Sequence, residues 1–473
     1  MANSSNIVAE LGPLLSPESS IVSASDAKFA SLTSRWREHL APVPSVVVQA
    51  ASEADVQHIV RYAAKHDIPF VARAGGHGAT AALGTVQNAI QIDIRPLDHV
   101  KVSEDGNSAK IGGGADIKGV VTALEKLGKR AVTGVCENVG FSAPLLGGGH
   151  GYLQGQYGLM ADQVISARLV LPDGELVVVS ETENQDLFWA IRGAGHNFGI
   201  VTEWEYRVYE AKKKGYAYET LIFSGDKAEA VFEAANSLLD DQPAERTQWA
   251  YIVNIPPVDP DHPVIWFAYI YDGPLEPLHT YAKPLHDLGP LSVQSAEDCT
   301  FHDIAVMSFQ DANGLGCAYG FTSIRSPIRL NTYNVSAIRK VYDEIDEMTH
   351  RHPEFAGSIF LLEGYANQGV KTADPDSTAY PYRNERLLLT CYVNYKPDQV
   401  LDDVAQEFAQ TLRQHLLEGS DDPARLKAYV NYANGDEPLE AVYGWEEWRL
   451  ERLRRLKKKW DPDNRMRYYV PIE

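Results

Sequence analysis

Over the first two hundred positions, apolar residues come in short runs broken by glycine. Residues 45–49 (SVVVQ) read as a strand, Ser52 and Asp55 have capping-box spacing, and Val56, Ile59, Val60 and Ala63 follow at helical intervals. Residues 70–72 supply the next strand, so a βαβ unit delivers its second strand end into Arg73-Ala74-Gly75-Gly76-His77-Gly78. A second unit runs from strand 109–111 through Gly112-Gly113-Gly114 to helix 117–126 and a strand-like 131–132. Residues 164–179 read as a hairpin around Pro172-Asp173-Gly174, and helix 186–191 with strand 200–208 closes this half.

From about residue 210 glycine thins out and aromatics take over. Strand-like runs at 216–223, 249–253, 264–271, 319–324, 359–365 and 387–395 alternate with amphipathic helices at 228–239, 335–348 and 399–417. Long strands interrupted by helices predict an antiparallel sheet covered by helices on one face. Helix 445–459 ends in a run of Arg and Lys that reads as a solvated face suited to the helix dipole. Residues 429–432 read as a strand, whose period of two puts Tyr429 and Asn431 on one side.

The densest stretch, 134–164, holds Gly134, Cys136, Val139, Gly140, then Gly147-Gly148-Gly149-His150 and Tyr157, interleaved with apolar anchors that a flexible linker would lack. With residues 73–78, 112–114 and 192–199 it makes four glycine clusters, each beside a strand-like run. Consecutive backbone N–H groups in such turns form anion-binding concavities, and their number points to a large phosphorylated cofactor.

As a set, residues 73–77, Gly134-Val135-Cys136, the block from Gly147 to Asp162, the segment from Leu187 to Gly199-Ile200-Val201-Thr202, and Lys459-Trp460-Asp461-Pro462-Asp463-Asn464 resemble the FAD-linked oxidases of the berberine bridge enzyme type, within the vanillyl-alcohol oxidase superfamily. The resemblance implies an α+β protein: a PCMH-type FAD-binding domain of two α/β subdomains over 1–208, a substrate domain with a large antiparallel sheet covered by helices over 209–425, and a return to the FAD domain over 426–473. It implies FAD bound by Arg73, Ala74, Gly75, Gly76, Gly78, Gly134, Val139, Gly140, Gly147, Gly148, Gly149, His150, Tyr157, Gly199, Ile200, Val201 and Asn464. It also implies two covalent bonds to the flavin, from His77 to the 8α-methyl carbon and from Cys136 to C6. Val139 stands where valine accompanies use of O2, with hydrogen peroxide as product.

Tyr429-Val430-Asn431-Tyr432 resembles the family's Tyr-x-Asn-Tyr segment, which implies Tyr429 as the base, with Asn431 beside it and Tyr392 and Tyr365 as alternatives. A phenol with an ordinary pKa of about 10 needs a cation or donors to act so. The glutamate of the berberine bridge enzyme has no counterpart in strand 387–392. Tyr382 stands where relatives usually carry His. The implied reaction takes a hydride from a small alcohol, phenolic or polycyclic metabolite. Oxidative cyclisation, dehydrogenation with another acceptor, carbohydrate oxidation and non-catalytic flavin binding are the alternatives.

A net charge of −21 argues against nucleic acid and anionic membranes as partners. No run reaches the length of a membrane span. The first ten residues show no signal peptide, which predicts an intracellular, cytoplasmic protein, a monomer or small homo-oligomer. Sequons at Asn3 and Asn334 then read as chance matches. Cysteines 136, 299, 317 and 391 are scattered, which argues against both zinc and disulfides, and no metal is expected.

Overall fold

The computed structural model describes residues 4–211 and 215–473, so Asn3 lies outside the described residues. The expected βαβ unit forms. Ser52 caps helix Glu53–Lys65 by accepting from the Asp55 N–H at 3.2 Å, a bond worth about 1 kcal/mol. Strands Val43–Gln49 and Phe70–Arg73 both pair in parallel with Gln87–Asp93, and Ser20–Ser23 adds an antiparallel edge. The parallel strands end together, which places residues 74–78 at their carboxyl edge.

The second sheet is antiparallel throughout, ordered Val100–Val102, Ser108–Gly112, Ile200–Arg207, Val164–Val170, Leu176–Ser180. The strand expected at 131–132 is instead Lys129–Arg130, which leaves this sheet and pairs with Tyr209–Glu210. The triple glycine has a packing role. A Cβ on Gly112, Gly113 or Gly114 would enter the carbonyls of Leu97, Val201 and Ile94, so backbone crosses backbone here and no ligand is cradled.

An eight-stranded antiparallel sheet organises the other half. Its central strands, Arg246–Val253, Val264–Tyr271, Ile359–Tyr365 and Leu387–Tyr395, are buried along almost their whole length, so they read as continuous apolar runs. One face, with Phe267, Phe360, Leu362 and Leu389, packs under helices Ala228–Asp240, Leu275–His286, Val335–Arg351 and Gln399–Glu418. The alternate residues, with Trp249, Leu361, Tyr365 and Tyr392, join the core shared with the amino-terminal half. Period two thus puts Glu363 and Tyr365 on the inward face.

Helix Glu447–Trp460 returns to pack on helix Gln185–Ala194. Its basic run is only partly a solvated face. Lys457 is buried, and its Nζ donates to Asp461 Oδ2 at 2.7 Å and to the carbonyls of Asn197 and Met466. Asp461 in turn accepts the N–H groups of Arg465 and Met466, which turns the chain back toward the glycine loops. Residues 429–432 are not a strand: Val430–Tyr432 is a single 3-10 turn. No helix among the described residues is long and apolar enough to cross a membrane.

Candidate active site

Where the large sheet faces the glycine loops, a cleft of about 1650 Å³, its open mouth included, runs through the molecule. One end is lined by Arg35, Arg73, Ala74, Gly75, Gly76, His77 and Gly78, by Gly134 to Cys136, Val139 and Gly140, and by Gly199, Ile200 and Val201. Met466, Tyr468 and Tyr469 close it from the C-terminal segment. The other end is a tyrosine-rich chamber with His150, Arg325, Tyr365, Tyr392, Tyr429, Asn431 and Tyr432.

Strand Phe70–Arg73 carries the 74–78 turn into the cleft, where Gly76 adopts φ +84°, a conformation that favours glycine. The turn is clamped by Trp36 N–H to the Gly76 carbonyl at 3.1 Å and by the Tyr319 hydroxyl on the Gly75 carbonyl. His77 lies between Trp36 and Tyr319. Burial, then the Arg325 charge, lowers its pKa to about 3, so the imidazole is neutral at physiological pH. Its Nε2 is buried with no hydrogen-bond partner among the described residues. On the same wall, Arg73 Nε and Nη1 and Arg35 Nε are buried and likewise unpartnered there. A neutral imidazole beside idle guanidinium N–H groups, in a long cleft, fits a dinucleotide with an anionic middle and a reactive ring.

Loop 136–141 is held by the start of helix Ile117–Glu125. The Ile117 N–H donates to the Val139 carbonyl at 3.0 Å, and Phe141 N–H to the Ala115 carbonyl at 2.8 Å. Here the expectation that disulfides are absent is corrected. Cys136 is bonded to Cys317 across 181 residues, because Glu137 N–H docks on the Gln310 carbonyl and brings the 310–317 segment over the loop. In this form the Cys136 sulfur is engaged and is not the free thiol that attachment to a flavin needs.

Several residues expected at the cofactor stand elsewhere. Gly147 packs on Asn431 and Gly148 on the Tyr380 ring, and the Gly149 N–H donates to Tyr429 Oη at 3.2 Å. Tyr157 stacks on Tyr209 at 3.8 Å, outside the cleft. Asn464 turns the C-terminal segment at φ +49° and does not line the cleft. Tyr382 is a strut, its hydroxyl donating to the Ala441 carbonyl at 2.6 Å.

His150 lines the chamber with both ring nitrogens engaged. Arg329 can only donate, so its contact at 2.9 Å makes Nε2 the acceptor, and Nδ1–H donates to Gln154 Oε1 at 2.8 Å. Burial, then Arg329, holds this imidazole well below its usual pKa. The ring stacks on Tyr365 and meets Tyr429 edge-on.

Tyr429 and Asn431 do come together, through the tight turn and not through strand alternation: Asn431 Nδ2 donates to Tyr429 Oη at 2.6 Å. Burial nevertheless pushes the Tyr429 hydroxyl far above its usual range, with Tyr380 adding to the effect, and its two neutral donors only oppose that. Tyr392 is pushed up to about 12, again by burial. Arg325 is the cation here, 5.3 Å from the Tyr392 ring and 5.4 Å from that of Tyr432.

The buried titratable residue that sequence reasoning missed is Glu363. It is fully buried behind the chamber wall, where Tyr365 Oη donates to it at 2.8 Å and Tyr432 Oη at 3.1 Å. Burial raises its pKa to about 8, against the opposing pull of the two phenols and of Arg329 and Arg325. The signal was a single carboxylate inside the apolar strand IFLLEGY, one strand away from the run searched for it.

Residues 44–180 match the family model described as FAD binding domain, and residues 428–473 the one described as Berberine and berberine like. The chain is 38% identical over 467 residues to FAD-linked oxidoreductase anuG of Penicillium roqueforti, covering 98% of this chain and 91% of that one. It superposes on BBE-like 1 of Physcomitrella patens with a TM-score of 0.84 at 20% identity, covering both chains completely. Glucooligosaccharide oxidase of Acremonium strictum, a structure described as having 6-S-cysteinyl, 8α-N1-histidyl FAD, superposes with a TM-score of 0.80 at 20% identity over 100% and 99% of the two chains. The fold and cleft are those of an FAD-dependent oxidoreductase. The chain belongs to the berberine bridge enzyme-like family of FAD-linked oxidoreductases.

Proposed function

We propose that this protein is an oxidase that removes a hydride and a proton from a small hydroxylated substrate, an alcohol, phenolic or polycyclic metabolite, and passes the electrons to O2 to give hydrogen peroxide. The observation that carries this reading is the opposition, across one cleft, of the unpartnered His77 Nε2 and the Glu363–Tyr365–Tyr432 set. FAD, when bound, supplies the two-electron acceptor. His77, Arg73, Arg35, Gly75, Gly76, Gly140, Gly199, Ile200 and Val201 would hold it, with His77 as the point of covalent attachment.

Proton transfer falls to the chamber. A substrate hydroxyl at Tyr432 gives its proton to Oη as the phenolic proton passes to Glu363, so no free phenolate forms. A carboxylate with a pKa near 8 is matched to such work close to neutrality. Tyr429, held by Asn431 and Gly149, then orients the substrate. Tyr432→Phe is expected to lower the rate of flavin reduction by about 10²-fold or more, the scale of a lost general base, while Tyr429→Phe mainly raises KM. Stopped-flow reduction under anaerobic conditions reads both. A slow Tyr429→Phe variant beside a fast Tyr432→Phe would return the base to Tyr429. Peroxide formed in step with product tests the acceptor.

The second flavin bond, from Cys136, competes with the Cys136–Cys317 bond for one sulfur. Double attachment therefore belongs to a form in which Cys317 is a free thiol. Cys317→Ser is expected to increase the share of protein in which one flavin joins the peptides containing residues 77 and 136, measured by mass spectrometry of a digest. An unchanged share would show that Cys317 does not control the attachment.

A further inference from the structure

We propose that Glu219, His279 and His286 form a binding site for one divalent transition-metal ion, zinc by the chemistry of its donors, on the outer side of the substrate domain. Glu219 sits in strand Tyr216–Phe223, on the face that helix Leu275–His286 covers. It is fully buried among the core residues Ala217, Leu221 and Leu278. An ionised carboxylate there, stripped of water, requires a compensating cation.

The helix offers two imidazoles seven residues apart, two turns along one face. His286 Nε2 lies 2.7 Å from Glu219 Oε1, and His279 Nδ1 lies 2.5 Å from Oε2. The two contacts differ in kind. The first is a hydrogen bond, but the second misses hydrogen-bond geometry, and Oε2 is buried with no hydrogen-bond partner among the described residues. Tyr269, paired directly across from Glu219, also has its hydroxyl buried and unpartnered there.

The three ligand atoms fall within 4.8 Å of one another. Two imidazole nitrogens and a carboxylate oxygen, with bonds of about 2.0–2.2 Å, are a common tetrahedral zinc set that leaves one position for water. The side chain of His279 is 49% exposed, so that position opens to solvent and the ring has room to adjust. The ion would satisfy Oε2 and bring positive charge to the buried carboxylate. Cysteine spacing, which argued against zinc, does not bear on this donor set.

A second trio, His262, Asp346 and His350, also has its ligand atoms within 4.8 Å but is more exposed, and both Asp346 oxygens are engaged by His262, so it serves as the control. The test uses the full flavin-loaded protein, stripped with a chelator and titrated with zinc by calorimetry, with bound metal counted by mass spectrometry and thermal unfolding followed in parallel. The expected result is a saturable site of one equivalent that raises the unfolding midpoint. His279→Ala should weaken it by more than about tenfold, as loss of a ligand does, and the double variant His262→Ala/His350→Ala should leave it intact. His286→Ala is expected to act like His279→Ala; should it fail to fold, the half-exposed His279 still decides. No saturable uptake, or uptake that survives His279→Ala and disappears only in the control variant, would overturn the proposal.

Discussion

Glu363→Gln is expected to slow substrate-dependent flavin reduction by about 10²- to 10⁴-fold, the range of a lost general base, and to flatten its pH profile. In the native protein the reductive rate should rise with pH to a plateau above about 8, where Glu363 becomes ionised. The amide keeps the size of the side chain and both phenol contacts but takes up no proton. The same shift carries a stability signature of defined sign. Burial raises the Glu363 pKa from 4.5 to about 8, so its contribution is fully present below pH 4.5 and is lost as pH rises through 8. The Gln variant escapes that loss and should gain stability relative to the native protein above pH 8. Denaturant unfolding at pH 5 and pH 9 reads the difference. A pH profile that kept its midpoint in the variant would remove Glu363 from the proton path.

His77→Ala is expected to abolish covalent retention of the flavin while Cys136 stays bonded to Cys317. After acid precipitation the yellow colour should move wholly into the supernatant, whereas the native pellet keeps it. The substitution removes a neutral nitrogen that has no hydrogen-bond partner among the described residues and leaves the Trp36 and Tyr319 clamps on the Gly76 and Gly75 carbonyls in place. Loss of attachment should therefore occur without loss of the fold. Combining it with Cys317→Ser frees Cys136 and is expected to restore attachment at residue 136. A native digest in which the peptide containing His77 has its unmodified mass would refute the assignment.

Much of this arrangement was legible in the residues. The βαβ unit and most long strands of the large sheet follow from apolar runs and caps whose neighbours never contradict them. The position of His77 followed from a strand ending in a glycine turn. What escaped reading has physical reasons. Strand Ser292–Cys299 is a polar edge strand, exposed on most of its residues, and shows no period-two signal. The 429–432 segment is β-like in composition, but the Arg325 bond to the Asn431 carbonyl and the Asn431 bond to the Pro144 carbonyl bend it into a turn. Gly112 to Gly114 and Gly147 to Gly149 look like ligand loops, because the need for a missing Cβ is the same whether the neighbour is a cofactor or another stretch of backbone. Cys317 was invisible as a partner because contacts 181 residues apart leave no local trace.

The Asn197 side chain is the knot of the molecule's last seam: its Nδ2 donates to the Val470 carbonyl and Tyr443 Oη, and its Oδ1 accepts from the Ile472 N–H. Tyr469, next to that seam, stacks on His196 at 4.3 Å and lines the flavin end of the cleft. The wall that Met466, Tyr468 and Tyr469 give the cleft is therefore complete only when the C-terminal segment has docked on Asn197. Truncation before residue 466 would leave that end of the cleft open and undo the seam that Asn197 ties, the change that most exposes this half to proteolysis.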